Sequence, residues 1–146
     1  MMEQGTLGIY HDFFINASKE EVYRSITLPG ELTNWWPLEC QGDPKVGSAY
    51  RFYFGPKYDW EGTVAIAKLN ESFYIDMTKT DEDWEGTRFG FDLEEDGKHT
   101  KVCFSHINWK SNSEHYRIAS FCWAMLLNGL KDYIEKGIVI PFEKRS

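Results

Sequence analysis

The stretch Arg88-Phe89-Gly90-Phe91-Asp92-Leu93-Glu94-Glu95-Asp96-Gly97-Lys98-His99-Thr100-Lys101-Val102-Cys103-Phe104-Ser105-His106-Ile107 decides the fold. Around Asp96-Gly97, apolar and polar residues alternate. Thr87, Phe89, Phe91 and Leu93 share one side before the turn; Thr100, Val102, Phe104 and His106 share one side after it. A period of two is the signature of a β-strand, and Asp-Gly is tight hairpin chemistry. Two antiparallel strands, 85–94 and 99–107, follow. Arg88, Asp92, Lys101 and Ser105 occupy the opposite positions, so the sheet has one dry face and one wet face.

The same grammar runs upstream. Strands are predicted over 48–54, 59–68 and 72–79, separated by Gly55-Pro56, Asn70-Glu71 and Asp81-Glu82-Asp83. Tyr50, Phe52 and Phe54 share a face, as do Trp60, Gly62, Val64 and Ile66, and Phe73, Ile75 and Met77. Arg51, Glu61, Thr63 and Lys68 fall on the wet side, which excludes Arg51 as an interior anchor. Residues 8–16 give a further strand, with Ile9, His11, Phe13 and Ile15 on one side. Ser18-x-x-Glu21 is a capping box that opens a helix over 19–27, bringing Val22, Tyr23 and Ile26 together. Pro29 stops it. A short second helix is expected from Gly30 to Trp36. Pro37, Gly42, Pro44 and Gly47 then read as a loop.

After the last strand comes a long helix, 113–136. Ser111-x-x-Glu114 is placed to cap its start and Gly137 its end. Its stripe is Trp123, Leu127, Leu130 and Ile134, and its length is on the order of 35 Å. The expected class is therefore α+β: a six-stranded curved antiparallel sheet around one long C-terminal helix, with two short helices after strand 1. The tail Ile138-Val139-Ile140-Pro141-Phe142 is apolar. It either packs back on the domain or offers a homodimer contact.

Length and charge bound the function. A chain of 146 residues is expected to form a single domain, 1–146, with a core of its own. Lys and Arg number 16 against 23 Asp and Glu, a net charge of −7, which argues against a nucleic-acid partner. No run of apolar residues reaches the length of a membrane span. Met1-Met2-Glu3-Gln4-Gly5-Thr6 lacks the basic and apolar regions of a secretory signal. Three cysteines without framework spacing point to a reduced, cytoplasmic setting.

The outlying number is aromatic content, 16%, from 6 Trp, 8 Tyr and 10 Phe. One helix cannot fill the concavity of a strongly bent sheet, so large rings or a ligand must. The candidate ligand-binding set is Trp35, Trp36, Tyr50, Phe52, Phe54, Trp60, Phe73, Phe89, Phe91, Phe104, His106, Trp123 and Leu127. Plain core packing is the competing reading for each ring.

Four segments carry a resemblance. They are Phe14 to Tyr23; Leu32-Thr33-Asn34-Trp35-Trp36; Gly47 to Phe52 together with Trp60 to Val64; and Phe104-Ser105-His106 with Phe121-Cys122-Trp123 through Ile134. In this order they resemble the START/polyketide-cyclase/birch-pollen-allergen (SRPBCC) superfamily, in its AHSA type, named for homology to an activator of a heat-shock chaperone ATPase. The resemblance covers about 8–137. It implies a helix-grip fold, a cavity between sheet and terminal helix, and small hydrophobic ligands in many relatives. It implies no single activity. A chaperone partner rests on the family name alone. Cys122 stands where the family has a glycine, and Ile107-Asn108-Trp109 follows the strand histidine in place of a small residue.

His106 ends a strand face otherwise carrying Val102 and Phe104. A neutral imidazole there would orient a ligand carbonyl or act as acid or base; the plainer reading is a buried histidine with local partners. Cys103-x-x-His106 has metal-site spacing on a helix, but on a strand the two side chains oppose each other, so no metal is expected. No Gly-x-Ser-x-Gly elbow or phosphate-binding loop is present. The acidic runs at 81–85 and 94–96 fall at turns and read as solvated surface. No catalytic constellation and no cofactor emerge. The expected function is binding of a small hydrophobic or aromatic molecule, oriented by His106 and Tyr50. The alternative is a cyclase- or dehydratase-type enzyme using the same pocket, with His106 as acid or base and help from Asn34 or Thr100.

Overall fold

Alternation becomes architecture through seven strands and three helices. The computed structural model describes residues 7–145. Met1–Thr6, read above for targeting features, and Ser146 lie outside the described residues. The strands are β1 (Ile9–Ile15), β2 (Glu39–Gln41), β3 (Ala49–Tyr53), β4 (Asp59–Lys68), β5 (Ser72–Lys79), β6 (Arg88–Asp96) and β7 (His99–Ile107). The helices are α1 (Lys19–Thr27), α2 (Pro29–Leu32) and α3 (Glu114–Lys136), and a short 3-10 turn follows at Phe142–Lys144. All strand pairs are antiparallel, in the order β1-β7-β6-β5-β4-β3-β2. The sheet is curved but not closed, and α3 packs on its inner face in the manner of a helix grip.

The hairpin at Asp96-Gly97 has the expected register: Phe91 faces Phe104 and Phe89 faces His106, with Gly97 in the left-handed region at φ 64°. Gly90 has a different reason to be glycine. A Cβ there would overlap the Phe73 carbonyl and the Tyr74 ring, so neighbouring β5 lies too close for any side chain. Ser18 caps α1 by accepting from the Glu21 backbone N–H at 3.2 Å. Gly137 ends α3 in the left-handed region at φ 70°.

Three expectations need correction. The sheet has seven strands and not six. The extra one, β2, lies in the segment read as a loop, pairs only with β3, and spans three residues between Pro37 and Gly42. So short an edge strand leaves no alternation to detect. The cap of α3 is Ser113, whose hydroxyl accepts from Tyr116 N–H, and not Ser111. The second helix covers Pro29–Leu32 only, and Thr33–Trp36 continue as turns.

The core is one contiguous cluster of buried residues from every strand except β2, together with α1, α2 and α3. The outer face carries the polar set. Arg51 grips Asp59 in a two-pronged pair at 2.7 and 2.9 Å, and Arg88 grips Asp76 likewise. The tail after Gly137 folds back. Arg145 donates from Nε to the Ile140 carbonyl at 2.8 Å, and from Nη1 to the Trp36 and Pro37 carbonyls at 3.3 Å each. Ile138 and Val139 remain about half exposed, at 47% and 49%.

Candidate functional site

An open cleft of about 500 Å³ lies between the β3–β4 hairpin, the 80–87 segment, the first half of α3 and the returning tail. Its floor is three buried indoles, Trp36, Trp84 and Trp123. Phe54, Tyr58 and Trp60 come from the hairpin; Ile118, Ala119, Cys122 and Leu126 come from one face of α3, at helical spacing. The rings touch in sequence. Phe54 to Trp60 is 5.4 Å between centroids, Trp60 to Trp84 4.8 Å, Trp84 to Trp123 6.1 Å, Trp123 to Trp36 5.0 Å and Trp36 to Phe54 5.6 Å. A closed circuit of aromatic rings therefore lines the cleft. Asp81, His115 and, from the tail, Phe142, Glu143 and Arg145 form the rim.

Trp36, Phe54, Trp60 and Trp123 are the members of the sequence-derived set that meet here. Tyr50, Phe52, Phe73, Phe89, Phe91, Phe104 and His106 lie deeper, packed against one another with essentially no exposed surface. Tyr50 spends its hydroxyl on the Thr27 carbonyl at 2.5 Å, and burial pushes its pKa up, so it is a neutral internal brace. Trp35 points away toward α1, donating to the Ser25 carbonyl at 2.9 Å. Leu127 lies by a separate groove beside His11, Phe13 and Lys131.

His106 is fully buried and does not reach the cleft. Trp123 Nε1–H donates to His106 Nδ1 at 3.1 Å. An indole N–H is donor only, so Nδ1 is the acceptor and the proton sits on Nε2. His106 Nε2–H then donates to Thr87 Oγ1 at 2.9 Å, and Thr87 donates to the Trp84 carbonyl at 2.6 Å. Both ring nitrogens are occupied. Burial first, and His115 second, push the His106 pKa down from 6.5 to about 3, so the ring stays neutral. It ties Trp123 to the Thr87–Trp84 segment and thereby holds two walls of the cleft. Cys103 points to the outer face, opposite His106 along β7. Among the described residues, no group of three or more His, Cys, Asp or Glu side chains is placed to hold a metal ion.

Sequence reasoning missed Trp84, because a tryptophan in an acidic turn has no periodicity to place it. It is 7% exposed, and its Nε1–H, like that of Trp109, is buried without a hydrogen-bond partner among the described residues. Its neighbours are rings: His106 at 4.4 Å and Trp109 at 6.0 Å. The 118/122/126 face of α3 was legible in principle, since its spacing is helical. The tail residues Phe142, Glu143 and Arg145 reach the cleft only through the backward turn of the chain.

Residues 16–135 match the sequence profile of the family described as Activator of Hsp90 ATPase homolog 1-like protein. Among solved structures, the Aha1 dimer of Colwellia psychrerythraea is 30% identical, covers 90% of this chain and 98% of its own, and superposes with a TM-score of 0.82. Two more distant structures share the fold. A Mesorhizobium loti protein is 14% identical, with 90% and 99% coverage and a TM-score of 0.79. CalU16 of Micromonospora echinospora is 19% identical, with 94% and 82% coverage and a TM-score of 0.72. No curated protein matches the sequence.

Proposed function

Since this chain belongs to the family of Activator of Hsp90 ATPase homolog 1-like proteins, we propose that it binds a small apolar or aromatic molecule in the cleft between the β3–β4 hairpin and α3. The single observation that supports this is the ring-lined cleft of about 500 Å³, a volume within the usual range of small-molecule sites. Burying about 500 Å² of apolar surface, counted on ligand and cleft together, gains about 12 kcal/mol, from which association takes at least about 4 kcal/mol. Further contacts with the rings bring the expected dissociation constant into the micromolar range. The cleft offers no buried acid–base pair. His106 is sealed behind Trp84 and Trp123, which counts against the cyclase or dehydratase reading. The test is titration with the neutral aromatic probe N-phenyl-1-naphthylamine, following its fluorescence. Saturable micromolar binding is expected, weakened at least tenfold by Ile118→Arg at the mouth with Tm unchanged. Linear, non-saturating uptake overturns the proposal.

A homodimer is the assembly favoured by the surface. Phe121 and Met125 on α3, outside the cleft lining, are 67% and 43% exposed, and Ile138 and Val139 of the tail are about half exposed. The Colwellia relative is a dimer. Sedimentation of wild type and Phe121→Glu tests this: a dimer reduced to monomer supports it, and a monomeric wild type rejects it. The chaperone reading rests on the family name alone. Among the described residues, no helix is long and apolar enough to cross a membrane.

A further inference from the structure

Resting on the reading of the cleft as a ligand site, we propose that its occupant is an organic cation: an ammonium group carried on an apolar or aromatic body. The first ground is the wall. Trp36, Trp60, Trp84 and Trp123 all line the cleft, and indole faces attract cations more strongly than any other ring. The second ground is the rim. Asp81 and Glu143 line the cleft, and among the described residues neither side chain makes an ion pair or hydrogen bond. Among the described residues Asp81 has no charged partner and Glu143 acts on Arg145 only through space, unlike the directly paired Asp59 and Asp76 of the outer face.

The positive charge at the rim is outnumbered: hydrogen bonds to neutral carbonyls leave Arg145 charged, and Asp81 and Glu143 carry two negative charges against its one. Among the described residues, Arg145 is the only Lys or Arg in the lining. It spends Nε and Nη1 on the carbonyls of Ile140, Trp36 and Pro37, and its guanidinium carbon stands 5.9 Å from the Phe142 ring centroid. It therefore acts as a latch for the tail. His115 is turned to Asp83 at 3.1 Å. Asp81 opens the acidic turn Asp81-Glu82-Asp83-x-Glu85, where Lys110 is the one Lys or Arg that the described hydrogen bonds place, on the Glu82 carbonyl at 2.9 Å, and the chain carries −7 overall. The field at the mouth draws in cations and repels anions.

The experiment uses three probes of one shape: naphthylmethyl-trimethylammonium, its neutral carbon isostere neopentylnaphthalene, and the anion naphthylmethanesulfonate. Affinities are measured by equilibrium dialysis against the whole protein at low and physiological salt. The cation is expected to bind about tenfold tighter than the neutral isostere, the size of a partly desolvated cation–π contact. The anion is expected to bind more weakly than both. In the Asp81→Asn/Glu143→Gln variant, the cation's advantage is expected to fall at least threefold while the neutral probe is unmoved. Equal affinity for cation and neutral isostere, or a preference for the anion, overturns the charge assignment and leaves the cleft reading standing. No saturable binding of any probe overturns both.

Discussion

Acidification is the sharpest probe of the buried relay through His106. The histidine titrates near 6.5 when unfolded and near 3 in the folded chain, because its ring is cut off from water with both nitrogens in use. Between those values the unfolded chain binds one proton more than the folded one. Stability from this source is therefore complete above about pH 6.5 and is lost as pH falls toward 3. Worked between pH 8 and pH 5, one such group removes about 2 kcal/mol. For a chain of this length that lowers Tm by about 4–8 °C. Carboxylates ordinarily titrate near pH 4, below this window, and because the chain has three other histidines it is the difference between wild type and a His106 variant that isolates this ring. The assay is urea unfolding at half-unit pH steps, comparing wild type with His106→Gln. A glutamine amide can accept from Trp123 and donate to Thr87 but carries no proton in this range. The slope of wild type is expected to exceed that of the variant by close to one proton across this window. Parallel slopes would refute the claim that His106 is buried neutral.

Other substitutions read neighbouring parts of the account. Thr87→Val keeps the shape but leaves His106 Nε2–H without its partner, while the Trp84 carbonyl keeps the Thr87 backbone N–H at 3.0 Å; a loss of about 2 kcal/mol is expected by chemical denaturation, while Thr87→Ser should cost under half as much. Tyr50→Phe orphans the buried Thr27 carbonyl, and calorimetry should find it about 1–2 kcal/mol less stable. Gly90→Ala forces β5 and β6 apart; little soluble folded protein is expected by circular dichroism, and a wild-type melting curve would contradict the close approach.

Much of this fold was legible because its signals are local. The alternation of Phe89, Phe91, Val102 and Phe104, the Asp96-Gly97 turn, the Ser18 cap and the Gly137 stop each rest on a few adjacent residues. The strand β2 was hidden because Cys40 is its only inward residue and Gly42 follows at once. The site was read less well, for a geometric reason. Inward-facing rings were assumed to line the space between sheet and helix. In the folded chain, α1, α2 and the Trp35-Trp36 pair fill the middle of that space, so Phe73, Phe91 and Phe104 meet side chains and not a cavity. The opening lies at the end, where the β3–β4 hairpin reaches past the sheet. Trp84 and Arg145 arrive there through a turn and a tail, whose placement depends on contacts far away in sequence.

The cleft itself is tested most directly by following the six tryptophan indole N–H signals by NMR while adding N-phenyl-1-naphthylamine. The signals of Trp36, Trp60, Trp84 and Trp123 are predicted to shift together and saturate, while that of Trp35, outside the lining and hydrogen-bonded to the Ser25 carbonyl, moves least. Unmoved cleft indoles, or changes confined to the groove beside Leu127 and Lys131, would contradict the account.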